Sequence, residues 1–201
     1  MDRKETIRIL TNAIKGDIPF DEFKRLFQNN EEIRNMFSEN TKIHSALDLS
    51  DFHNNYLEFF NSFDWDSIFD RADIISYMSL FLFTLGVNIK PTDLYVKEVE
   101  KYINIIPKWV PDNALKYIEQ ECINKIKDKP FSEQSKIIKR FIKDNFVCRS
   151  CHPRWAQDGE WLFDATGQPL DFVGQKEDGD LVTYTFVNPK TGQEVQTQEF
   201  Y

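Results

Sequence analysis

The spacing of apolar residues changes at Cys148, and that change limits what this chain can fold into. Before it, apolar residues recur three and four apart, as at Ile7, Leu10 and Ile14, or at Ile138, Ile142 and Phe146. That is the spacing of one face of a helix. After it, Val182, Tyr184 and Phe186 alternate with Thr183 and Thr185, the two-residue period of a half-buried strand. Turn sequences punctuate this tail: Asp164-Ala165-Thr166-Gly167, Lys176-Glu177-Asp178-Gly179-Asp180 and Asn188-Pro189-Lys190-Thr191-Gly192. The expectation is an α+β fold. A mostly helical part, residues 1–147, packs on a small antiparallel meander of three or four strands, residues 148–201. A small isolated sheet is marginal in water, so its apolar face, with Trp155 and Trp161, is expected to share a core with helices.

Capping residues divide the helical part. Asp2 precedes a helix to Lys15, and Gly16 ends it. Phe20, Phe23 and Phe27 mark the inner face of a short helix, and Asn29 and Asn30 separate it from one over Glu31 to Phe37. A helix starting at Leu49-Ser50-Asp51 carries Phe52, Tyr56, Phe59 and Phe60. Asp64-Trp65-Asp66-Ser67 opens another that is apolar nearly all round and closes at Gly86, the pattern of a central core helix. Further helices are expected from Thr92 or Asp93 to before Pro107, from an Asp112 cap to about Lys127, and from Ser132-Glu133-Gln134 to Phe146. On the last, Lys136, Lys139, Arg140 and Lys143 form a basic stripe, read as a solvated face.

Eighteen Phe and only 7 Gly among 201 residues suit a packed helical core. Three cysteines do not make a disulfide framework, and no apolar signal core follows Met1-Asp2-Arg3-Lys4; a cytoplasmic protein is expected. The apolar run Ile74 to Leu85 falls short of the roughly 20 residues a bilayer needs. Net charge is −8. Residues 148–201 hold four bases against nine acids, a balance of −5 in about a quarter of the chain. Such a field repels nucleic acid and anionic lipid and attracts a basic partner.

No set of residues spells out a reaction. Cys148-x-x-Cys151-His152 has the spelling of a haem attachment site, but that chemistry belongs to exported proteins. As half a zinc site it lacks a second pair; Cys122, His44 and His53 are the remaining candidates, and His152 adjoins Cys151 too closely for easy joint ligation. No βα unit precedes the pair, as a redox motif requires. Two ordinary thiols at a helix–strand junction fit best. The acid pairs Asp64/Asp66 and Asp178/Asp180 suit a helix start and a solvated loop before acid–base work. Neither a phosphate-binding glycine loop nor the basic-aromatic pattern of nucleic-acid modules is present. The expectation is a protein without catalysis or cofactor.

The tail runs Pro153-Arg154-Trp155-Ala156-Gln157, Glu160-Trp161 and Gly167-Gln168-Pro169-Leu170-Asp171-Phe172-Val173-Gly174-Gln175, followed by the Tyr184/Phe186 strand and the Thr191-Gly192 turn. Together with Phe20-Asp21-Glu22-Phe23, Asp64-Trp65-Asp66 and Pro91-Thr92-Asp93 upstream, it resembles immunity proteins of bacterial polymorphic and contact-dependent growth inhibition toxin systems. The resemblance implies a non-enzymatic cytosolic protein that occludes a cognate toxin domain, often a basic nuclease. The family has no catalytic signature to carry over, and the Cys148/Cys151 pair departs from its pattern. The acids expected to meet the partner are Asp158, Glu160, Asp164, Asp171, Glu177, Asp178 and Asp180. The alternative is a regulatory or adaptor module stabilised by metal on Cys148, Cys151 and His152.

Overall fold

The computed structural model describes residues 2–39 and 55–201; the expected helix start at Leu49-Ser50-Asp51, with His44 and His53, lies outside them. The fold is α+β: helices followed by a three-stranded antiparallel sheet at the C-terminus. Two compact units divide the chain, Met1–Glu100 and Lys101–Tyr201. Among the described residues no helix is long and apolar enough to cross a membrane.

The first unit contains α1 (Arg3–Lys15), α2 (Phe20–Asn29), α3 (Glu31–Glu39), α4 (Tyr56–Ser62) and α5 (Ile68–Thr84), and α6 (Leu94–Ile103) begins in it. The caps are local. Asp2 accepts from the Glu5 amide at 2.8 Å, Asn30 from Ile33 at 3.1 Å, and Ser67 from Phe69 at 3.1 Å. Each meets an amide that a helix start leaves unpaired. Gly16 ends α1 at φ 82, where a side chain would be strained. Phe20, Phe23 and Phe27 are buried along α2, and α5 buries Ile74, Ile75, Met78, Phe81 and Leu82. The core is aromatic: Trp65 stacks on Phe27 at 4.4 Å and Phe37 on Phe81 at 4.2 Å. The Trp65 indole N–H donates to the Phe60 carbonyl at 2.8 Å, so its single polar atom is satisfied.

The second unit contains α7 (Asp112–Glu121), α8 (Phe131–Asn145), β1 (Asp171–Asp178), β2 (Leu181–Val187) and β3 (Glu194–Phe200), in sheet order β1-β2-β3. The helix expected to reach Lys127 stops at Cys122 and gives way to a 3-10 turn over Ile123–Lys125. That tighter turn leaves Ile123 fully buried and Ile126 nearly so. Pro111 and Pro130 occupy the capping positions expected of Asp112 and Ser132. Proline presets φ there and has no amide to leave unpaired.

No helix or strand spans the stretch from Phe146 to Leu170, yet its tryptophans are tied down. Trp161 is fully buried, with ring centroids 5.1 Å from Phe146, which caps the end of α8, 5.4 Å from Phe186 and 6.4 Å from Phe172. Its indole N–H donates to Leu170 at 3.0 Å. Asn113 of α7 serves both backbone groups of Trp161: its amide donates to the carbonyl at 2.9 Å, and its oxygen accepts from the N–H at 3.1 Å. The sheet's apolar face therefore shares a core with α7 and α8, as the marginal stability of a small sheet demands. At the outer edge of β1, Phe172 donates to Val147 and accepts from Arg149, both at 2.8 Å.

Candidate functional site

The strands divide the seven acids singled out by sequence into two groups. β1 and β2 pair from Asp171↔Val187 to Asp178↔Leu181, so Asp171 and Asp178 stand at opposite ends of the sheet. The hairpin turn is two residues, Gly179 and Asp180, with Gly179 first at φ 62, as a tight hairpin turn requires. Tyr201 donates its amide to the Asp180 carbonyl, and Gln157 donates its side chain to the Phe200 carbonyl at 2.8 Å. The loop carrying Asp158 thus meets the hairpin end, and Glu160 follows on the same loop. Asp158, Glu160, Glu177, Asp178 and Asp180 are all exposed.

Asp164 and Asp171 are occupied elsewhere. Asp164 accepts from the Thr166 hydroxyl at 2.6 Å and the Gln168 amide at 3.0 Å, which hold its carboxyl below the ordinary value. Asp171 receives both the Nε and an Nη of Arg149, at 3.1 and 2.8 Å. Of the hairpin-end acids, Glu177 meets Arg154 at 3.7 Å. Asp158, Glu160, Asp178 and Asp180 make no ion pair with a described residue. What remains is a set of four exposed carboxylates without an ion-pair partner among the described residues, with exposed Lys176 on the same strand as Asp178.

Glu199, which sequence reasoning passed over, fixes this cluster. Its Oε1 accepts from the Gly159 amide at 2.8 Å; its Oε2 accepts from Ala156 at 2.9 Å, Gln157 at 3.3 Å and the Tyr184 hydroxyl at 2.8 Å. Burial works against the charged carboxylate, but these donors outweigh it and hold the carboxyl below its ordinary value. Burial, then the Glu199 bond, push the Tyr184 phenol up. In the sheet Glu199 pairs with Val182 and Thr197 with Tyr184, so an acid falls on the strand's inner parity, a register that the sequence alone does not give. Gly159, at φ 75, completes the loop, since a Cβ there would lie 2.5 Å from the Trp155 ring.

The pH dependence follows from the sign of the shift. A carboxyl lowered in the folded state stabilises it above the unfolded value, about 4.3, and loses that contribution as pH falls through the lower folded value. Glu199→Gln is expected to cost about 2 kcal/mol at pH 7, with the gap to wild type narrowing below about pH 4. Urea unfolding from pH 7 to 3 checks this. A gap that stays constant across the range assigns the loss to shape, not charge.

The cysteines stand apart from this cluster. Cys148 is half-buried, Cys151 exposed, and both are free thiols. Burial, and then neighbouring Cys151, push the Cys148 thiol up to about 11. The His152 ring stacks on Trp109 at 4.6 Å and 14°. Among the described residues, no three His, Cys, Asp or Glu side chains group to hold a metal. No protein-family profile, curated protein or solved structure matches the chain.

Proposed function

We propose that this chain is a cytoplasmic, non-enzymatic immunity protein that neutralises a cognate bacterial toxin domain by covering it. The observation that carries the reading is the unneutralised hairpin-end cluster, Asp158, Glu160, Asp178 and Asp180, with Glu177 beside it. Carboxylates paired with neighbouring bases present little net field, whereas unpaired ones attract a basic surface and reject an acidic one. The platform is stiff: a two-residue turn carries Asp180, and Glu199 holds the loop bearing Asp158. Less ordering is therefore left to do on binding. The partner this chemistry fits is a basic toxin domain, a nuclease being the first expectation.

The test is complex formation between this chain and the C-terminal domain of the product of the adjacent upstream reading frame, read by calorimetry and by that domain's toxicity. A one-to-one complex with nanomolar Kd that abolishes the toxin's activity is expected. No complex at micromolar concentrations, or a complex in which the toxin stays active, overturns the reading.

A further inference from the structure

A cleft of about 600 Å³ opens in the second unit beside α8, within the size range of small-molecule sites. Its lining residues are distinct from those of the acidic cluster. Its apolar lining includes Ile142 and Phe146, both nearly fully buried, with half-buried Trp109 and exposed Val147. Trp109 is braced: its carbonyl accepts from the Trp155 indole at 2.9 Å, and its ring stacks on His152. The charges on the lining are of one sign. Lys139 and Lys143 stand one turn apart on α8, both exposed and neither in an ion pair with a described residue. No Asp or Glu lines the cleft. The carboxylate next to Lys143, Asp144, is engaged by Arg140 at 3.4 Å. Cys148, half-buried and with its thiol pushed up to about 11, adds neutral surface and not a repelling thiolate.

In a chain of net charge −8, an apolar cleft lined by two free ammonium groups and the His152 imidazole, and by no carboxylate, selects for an anion attached to an apolar body. We propose that this cleft binds a small amphipathic monoanion, a carboxylate on an alkyl or aromatic body, with the head between Lys139 and Lys143 and the body against Trp109, Ile142 and Phe146. An ammonium pair fixes the head by charge, and the aromatic and aliphatic lining removes the body from water. The site goes beyond the immunity reading and uses none of its acids, so either can fail without the other.

The probe is dodecanoate below its micellar concentration, titrated calorimetrically into the full chain, with dodecyltrimethylammonium as the opposite-charge control. One-to-one binding of dodecanoate on the order of 10 µM is expected, with at least tenfold weaker binding of the cation. Lys139→Glu with Lys143→Glu is expected to weaken dodecanoate binding tenfold or more, and Val147→Trp to obstruct it. All three positions are exposed, so unchanged far-UV circular dichroism is expected in both variants. Absent binding, equal binding of the cation, or full binding by the folded double variant overturns the proposal.

Discussion

Trp161→Ala is expected to cost about 3–5 kcal/mol and to be the most damaging single change in the second unit. Domains have only about 5–15 kcal/mol of stability in all. The side chain is fully buried, and its ring meets Phe146 at the C-cap of α8, Phe172 from β1 and Phe186 from β2. Its removal leaves a cavity where helix and sheet share their core and frees the Leu170 carbonyl from its indole partner. Trp161→Phe separates the two effects, since it keeps a ring but not the donor; the freed carbonyl alone should cost about 1–3 kcal/mol. Urea unfolding followed by far-UV circular dichroism reads both. An alanine variant within about 1 kcal/mol of wild type would mean that Trp161 is not the joint between sheet and helices.

Asp158→Lys, Asp178→Lys and Asp180→Lys combined are expected to slow association with a basic toxin domain by about 10- to 1,000-fold in low salt. The effect should shrink as salt rises, because the screening length falls to about 8 Å at physiological ionic strength. Dissociation should change less, since rim charges act mainly on encounter. None of the three carboxylates has an ion-pair partner among the described residues, so folding stability should stay within about 0.5 kcal/mol of wild type. That contrast distinguishes a recognition surface from a structural one. Stopped-flow association at two salt concentrations reads the rates. Unchanged rates in the triple variant would move the partner surface away from the hairpin end.

Much of the fold is written in local signals. The Asp2 and Asn30 caps, Gly16, the Phe20/Phe23/Phe27 face and the Val182/Tyr184/Phe186 alternation each act over four or five residues, and each is found as read. What was not legible depends on distant partners. α7 stops at Cys122 although nothing in its neighbours demands it, and burial of Ile123 and Ile126 accompanies the break. The acids form one list in sequence but two groups in space, because the bridge between Cys148 and Phe172 brings Arg149 to Asp171 while Asp178 lies at the other end of β1. Glu199 looked like one more tail carboxylate. Its role appears only when the amides of Ala156, Gln157 and Gly159 converge on it from 40 or more residues away. Lys139 and Lys143 read as a solvated stripe; the apolar cleft beside them depends on Trp109, which no helical period links to α8.

The central claim is neutralisation through the hairpin-end acids, and the most direct measurement is survival. The toxin domain that the proposal pairs with this chain, sought in the product of the adjacent upstream reading frame, is expressed in bacterial cells alone, with this chain, or with the Asp158/Asp178/Asp180 lysine variant at equal soluble level. The account predicts that this chain restores growth and that the variant restores little or none. Cells that die with both chains, or grow equally well with both, would contradict it.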